Sequence, residues 1–191
     1  MQDRSRRTQE AVLAAALKLF GERGYDATGM SDIATRAGVA VGAVYRHYRT
    51  KRQLLLVLID LMLAEIDELD LSVPEGTGPR AAVTELLRRG LATDARYMGA
   101  YRAWQDVIAR EPQLAAVDRE IVDWTSSRVA LLLEVARQLP DGRPDMDVPA
   151  TARLLTLLLW RLVLESPAEV ERLTPALDAL VGHLLFTDRA P

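Results

Sequence analysis

The placement of proline constrains this chain more than any other feature. No proline occurs before Pro74, whereas those at 74, 79, 112, 140, 144, 149, 167 and 175 separate long apolar-periodic stretches of helical length. Few runs alternate apolar and polar residues with period two, so little is left from which a sheet could be built. An all-α fold follows. Five of the eleven glycines fall between Gly21 and Gly42, so the head of the chain is made of short segments joined by glycine turns. A length of 191 residues accommodates one or two domains with a genuine hydrophobic core.

In the head, a first helix over residues 5–20 would bury Val12, Leu13, Ala16, Leu17 and Phe20, with Gly21 to Gly24 ending it. Thr28 reads as the N-cap of a second helix reaching Ala37, with Asp32 in the first turn, where a carboxylate suits the helix dipole. Gly38 stops that helix where a left-handed residue is common. A third short helix follows at 41–48. Thr50 then caps a fourth over residues 51–71, carrying Leu54, Leu55, Leu58, Leu61 and Met62. The body is predicted to hold helices near 79–92, 95–110, 113–139, 149–166 and 168–186, with loops at 74–78 and 140–149.

Charge separates the same two parts. The formal net charge of −3 averages ten Lys/Arg against five Asp/Glu in residues 1–54 with fourteen against twenty-two in the remainder. A basic head on an acidic body suits contact with nucleic acid through the head alone. Cysteine is absent and only His47 and His183 are present, which excludes disulfides, thiolate zinc sites, cysteine nucleophiles and histidine triads. No metal site or cofactor is expected. The carboxylates Asp106, Glu111, Glu134 and Glu165 are scattered, with no nucleophile–base motif or glycine-rich phosphate loop near them, so no enzyme is expected either. The apolar stretch after residues 4–7 is only seven residues long, between Glu10 and Lys18. Asp60 and Arg161 interrupt the greasiest later segments. Neither an export signal nor a membrane span is predicted, and a cytoplasmic location is expected.

The segment from 31 to 48 has the parts of a helix-turn-helix: a helix, a turn of about three residues with a glycine, and a second short helix. Each position has a physical reason. Ala34 and Ala37 are small enough for a close crossing, Gly38 makes the sharp turn, and Val39 plugs the junction. Gly42 and Ala43 lack bulk that would hold the second helix away from a groove. Tyr45, Arg46 and His47 are then able to reach phosphates or base edges. The plainer reading of His47 is a surface histidine, and a helical hairpin with a glycine turn fits the bare pattern.

A longer ordered set is more specific. Val12-Leu13, Ala15-Ala16-Leu17, Phe20, Gly24-Tyr25, Thr28, Ile33-Ala34, Ala37-Gly38-Val39, Val44-Tyr45, His47-Tyr48, Lys51 and Leu54-Leu55 resemble the DNA-binding domain of the TetR family of transcriptional regulators. The resemblance spans residues 6–55. It implies a recognition helix at 41–48, beginning with Val41 and entering the major groove, with Lys51, the Tyr45 hydroxyl and Thr28 at phosphates. It also implies a homodimer and a divergent ligand-binding body. Two positions depart from the family pattern: Ala40 stands where Ser or Thr is frequent, removing a capping or phosphate-binding hydroxyl, and Tyr48 replaces a common Phe. Arg4, Arg6 and Arg7 either add phosphate contacts or form a solvated terminus, and Arg23 and Arg36 read equally well as solvated charge.

The reading that follows has two domains. Residues 1–50 form a three-helix helix-turn-helix domain that binds double-stranded DNA. Residues 51–191 form a helical domain for effector binding and dimerisation. Val170, Leu173, Leu177, Leu180 and Leu184 recur at 3-4-3-4 spacing, a seam for a neighbouring helix. The 149–166 helix is apolar almost all round and needs partners on two sides. Leu155, Leu158, Leu162, Leu173, Leu177, Leu180 and Leu184 are therefore assigned to a dimer interface, internal core being the alternative. Tyr97, Tyr101, Trp104 and Gln105 with Trp124 and Arg128 make facing stripes suited to a small-molecule effector, and plain core has the same pattern. The function expected is a ligand-responsive regulator, a repressor that binds a palindromic operator as a dimer and is released by its effector. The alternative is an all-helical small-molecule carrier or protein-interaction module without specific DNA binding.

Overall fold

The computed structural model describes residues 2–68, 72, 77–165 and 167–187. Its helices are α1 (Gln2–Arg23), α2 (Met30–Ala37), α3 (Val41–His47), α4 (Lys51–Asp67), α5 (Pro79–Arg96), α6 (Met98–Ile108), α7 (Ala115–Arg137), α8 (Val148–Val163) and α9 (Pro167–Leu185), with a 3-10 turn at Pro112–Leu114. Among the described residues the one extended pairing is an isolated bridge between Gly142 and Phe186. Most of the expected 74–78 loop and the last residues of the expected 51–71 and 149–166 helices lie outside the described residues.

Two compact units form, Met1–Glu65 with Arg96–Ala115, and Ile66–Ala95 with Ala116–Pro191. As packing units they differ from a cut at residue 50, because most of α4 and all of α6 pack with the head. Leu54, Leu55, Leu58, Ile59 and Met62 are buried along α4. The far end of α6 is tied in by Asp106, which accepts from the Tyr25 N–H at 3.4 Å, and by Arg110, which pairs with Asp26. Just beyond α6, Glu111 pairs with Arg52 at 2.8 Å.

Within the first unit, α1 supplies Val12, Ala15, Ala16, Leu19 and Phe20 to the core, while Leu13 and Leu17 are only half-buried. The helix outruns the expected 5–20 at both ends. Gly21 lies inside it, and Gly24, at φ 79°, is the residue that ends it, donating its N–H to the Phe20 carbonyl at 3.0 Å. The N-cap of α2 is Gly29 rather than Thr28, and Asp32 accepts from the Gly29 N–H at 2.8 Å. Gly38 is left-handed, at φ 67°, as the turn requires. Thr50 caps α4 as expected, its hydroxyl accepting from the Gln53 N–H at 3.0 Å.

In the second unit Val83, Leu87, Leu133, Met146, Leu155, Val181, Leu185 and Phe186 form a continuous core. Prolines open helices here, at the first positions of α5 and α9 and in the first turn of α8, where the missing N–H leaves no helical bond unmade. Pro140 and Pro144 lie in the turn between α7 and α8, and Pro175 sits inside α9. Asp147 caps α8 by accepting from the Ala150 N–H at 3.1 Å.

Candidate nucleic-acid interface

The short helix α3 is held by one face and free on the other. Ala43 and Val44 are buried, as is Tyr48 at its end; on the opposite face Val41 is 40% and Tyr45 50% exposed, with Gly42 and Arg46 open to solvent. An exposed valine and tyrosine flanking a glycine are costly to leave in water on an element of seven residues. The glycine presents bare backbone: a methyl group at position 42 would meet nothing within 4 Å. Among the described residues Arg46 has no ion pair, so its guanidinium is available for a phosphate or a guanine edge. His47 is half-buried, its ring tilted against Tyr48 at 6.3 Å.

Rigid supports lie behind this face. Arg36 of α2 forks onto Glu22 of α1 at 2.5 and 2.9 Å, so Arg36 is a tether rather than solvated charge. Near the N-terminus Arg7 pairs with Asp3 at 2.9 Å, and Arg6 lies 3.6 and 3.7 Å from Asp3 and Glu10. Arg6 and Arg7 are therefore helical and paired within α1.

Two residues assigned to the DNA surface are placed elsewhere. Thr28 is buried, 1% exposed, and its hydroxyl is directed at the carbonyls of Gly24 (2.8 Å) and Leu19 (3.3 Å); it closes the α1–α2 turn and has no route to a phosphate. Ala43 faces the core, because a residue two after Val41 on a helix points away from Val41 and Tyr45. Lys51 occupies an intermediate position. Its ammonium donates to the Tyr25 carbonyl at 2.5 Å and stands 4.1 Å from the Tyr25 ring centre. Burial lowers its pKa from the usual lysine value, against the pull of Asp26.

The second unit contains a cavity of about 250 Å³, lined by Ile66 and Asp67 from the end of α4, Leu86 and Leu87 of α5, Thr125, Arg128 and Leu132 of α7, and Thr156, Leu159 and Trp160 of α8. Of the six residues assigned to an effector, only Arg128 lines it. Trp124 instead carries the Arg128 guanidinium on its ring at 5.8 Å. Tyr97, Tyr101, Trp104 and Gln105 belong to the first unit. There Trp104 is core at 2% exposure, and the Tyr97 hydroxyl donates to Glu65 at 2.5 Å. The residues missed come from four helices, and no local periodicity marks such a set.

The dimer assignment also needs correction. Leu155 and Leu162 are 0% and 7% exposed, inside the fold of one chain. Leu158, Leu173, Leu177 and Leu184 are half-buried and Leu180 is exposed. Among the described residues of α8, the large apolar side chains that remain in water are Leu154 and Leu157, 53% and 48% exposed.

Comparison with known proteins decides what such a head belongs to. Residues 12–58 match the family described as bacterial regulatory proteins, tetR family. That match makes the head a TetR-type DNA-binding domain. The transcriptional regulator UidR of Escherichia coli K12 is 25% identical across 97% of this chain and 96% of its own length. GusR of Salmonella enterica shares the fold with a TM-score of 0.72 at 20% identity, covering 93% of this chain and 95% of that one. SmeT in complex with triclosan shares it with a TM-score of 0.66 at 23% identity, over 96% and 95% of the two chains. The chain is a DNA-binding transcriptional regulator, and the family its head matches is regulatory rather than enzymatic. Among the described residues no helix is long and apolar enough to cross a membrane, and no group of three or more metal-ligating side chains occurs.

Proposed function

We propose that this regulator acts as a cytoplasmic homodimeric repressor, each subunit placing α3 in a major groove of a palindromic operator, and that a small molecule in the cavity of the second unit releases it. The observation carrying the DNA reading is the split of α3, with Ala43, Val44 and Tyr48 buried and Val41, Gly42, Tyr45 and Arg46 exposed. Arg46 and the Tyr45 hydroxyl serve phosphates, and His47 and Val41 the base edges. Lys51 joins the phosphate contacts by exchanging the Tyr25 carbonyl for a phosphate oxygen.

The dimer uses Leu154 and Leu157 of α8 with Leu158, and Leu173, Leu177, Leu180 and Leu184 of α9. The first two are an apolar face that a second copy would cover. A dimer presents its two recognition helices at half-sites related by helical turns of DNA. Helix α4 supplies the coupling, since it carries Lys51 at one end and the cavity-lining Ile66 and Asp67 at the other. An effector shifts DNA affinity only by its preference for one arrangement of that helix.

The test is selection of bound fragments from random genomic DNA followed by sequencing. A palindrome should be enriched, and its affinity should fall steeply as salt rises. Enrichment of no sequence would leave the carrier reading standing. Enrichment of one unpaired half-site would remove the dimer from the mechanism.

A further inference from the structure

The polar groups around the cavity indicate what fills it. Thr125 and Thr156 are both buried, and each hydroxyl spends its proton within its own helix, on the Ile121 carbonyl at 2.9 Å and on the Ala152 carbonyl at 2.9 Å. Each oxygen retains acceptor capacity. Arg128 is occupied as well: Asp67 pairs with it at 2.5 Å and the Asp67 carbonyl accepts from it at 3.1 Å, while the Trp124 ring flanks it. Among the described lining residues the one cation is thus neutralised by an anion on the same lining. The rest of the wall is mainly apolar, including Leu159 and Trp160. An apolar cavity of about 150 Å³ holds a benzene ring, so 250 Å³ takes a somewhat larger ring system.

We propose that the cavity binds a neutral, ring-containing apolar molecule that bears a hydroxyl or N–H donor, held by the spare lone pairs of Thr125 and Thr156, and that the Asp67–Arg128 pair disfavours anions. The proposal rests on the reading of this cavity as the effector site and names the class of molecule it takes. A carboxylate entering here gains no free cation and loses its hydration. A donor-free ring leaves the spare lone pairs of the two threonine oxygens unused.

Equilibrium dialysis of the full chain against 2-naphthol, naphthalene and 2-naphthoate tests it. The naphthol should bind about three- to tenfold more tightly than naphthalene, the range of one net hydrogen bond, and more tightly still than the naphthoate. Thr156→Val or Thr125→Val should erode the preference for naphthol over naphthalene, and Thr156→Ser should keep it. Asp67→Asn should raise the affinity for naphthoate at least about threefold without changing that for naphthol, since the pair is partly exposed and screened. Naphthoate binding as tightly as naphthol, a preference that survives in the Thr125→Val/Thr156→Val double variant, or no retention of any probe would each overturn the proposal. DNA affinity measured with the same probes separates the two readings. If naphthol is held with the expected selectivity but leaves DNA binding unchanged, the ligand class stands and the effector role falls. If naphthoate is preferred and shifts DNA binding, the class falls and the effector role stands.

Discussion

Gly99 on α6 lies directly against Gly21 on α1. A methyl group at 99 would come within 2.8 Å of the Gly21 nitrogen and 2.1 Å of the Leu17 carbonyl oxygen. Two helices meeting at this separation do so backbone to backbone, with no side chain between them. Glycine inside a helix ordinarily costs about 0.5–1 kcal/mol relative to alanine, so Gly→Ala at a free position stabilises. Here the sign reverses. Gly99→Ala should destabilise the protein by about 1–3 kcal/mol through overpacking, read as a lowered midpoint in urea. Gly21→Ala, whose added methyl would sit 3.4 Å from the Gly99 Cα, should cost less. A neutral Gly99→Ala would mean that α6 is not seated on α1 in solution.

Thr28 separates a structural role from a DNA contact. Its buried hydroxyl donates toward the Gly24 and Leu19 carbonyls, so Thr28→Val should cost about 1 kcal/mol of stability, and more if those carbonyls stay unsatisfied. Thr28→Ser should recover most of it. Neither change should alter the salt dependence of DNA binding, because no phosphate contact is removed. A salt slope reduced by about one in Thr28→Val would restore the hydroxyl to the phosphate surface.

What was legible in the sequence depended on whether a local rule governed it. The α2–α3 turn was legible because Gly38 must be left-handed there, and Pro149 marks the start of α8 to within one residue. The register of α8 was not. From Leu154 to Leu164 leucine lies on every side and the two polar residues give opposed cues: Arg161 shares the exposed face of Leu154 and Leu157, while Thr156 is buried beside Leu155. Thr28 misled for a related reason: a threonine before a helix has the chemistry of a cap, but the chain turns its side chain inward toward the end of α1. The aromatic stripe of Tyr97 and Trp104 was a true helical face, yet one that fills the first unit's own core. The cavity is assembled from four helices, and no periodicity within any one of them announces it.

Tyr97 makes alkaline stability sensitive to a single hydroxyl. Burial, the hydrogen bond to Glu65 and that carboxylate's charge hold its pKa up, from 10.0 to about 12. Folding therefore favours the protonated phenol. Its contribution is fully present below about pH 10 and is lost as pH rises toward about 12. Tyr25 and Tyr48 are also raised, each chiefly by burial, so the native protein should lose stability steeply over this window. Tyr97→Phe should flatten that loss without abolishing it. Denaturant midpoints measured across the range check the sign, and an unchanged slope in Tyr97→Phe would remove Tyr97 from the titration.

Leu157 and Leu155 test the dimer face in opposite ways. Leu157→Glu places a carboxylate where the side chain is 48% exposed, so a single chain should fold as before while the dimer dissociates. Leu155→Glu puts the charge into the core at 0% exposure and should unfold the second unit, since an unpaired buried carboxylate has no compensating partner. Sedimentation with circular dichroism distinguishes the outcomes. A folded Leu157→Glu that remains dimeric would place the subunit contact on another face.

Ala40 leaves a helix start without a side-chain cap, and filling it should stabilise the helix offered to DNA. The residue is extended at φ −65° and ψ 142° and makes no side-chain cap bond. This is the backbone geometry of an N-cap, and α3 has only seven residues over which to recover the cost of starting. The Ala40 carbonyl already receives the Ala43 N–H at 2.8 Å, so the backbone needs no rearrangement to accept a capping residue. Ala40→Ser would supply an oxygen to the N–H groups of Gly42 or Ala43, worth about 0.5–2 kcal/mol. The gain should appear as slower amide hydrogen exchange along α3 and a raised denaturation midpoint. Ala40→Val, which adds bulk at Cβ without the oxygen, should give neither. If serine and valine behave alike, the start of α3 is limited by its packing on Val44 and Tyr48 rather than by the absent cap.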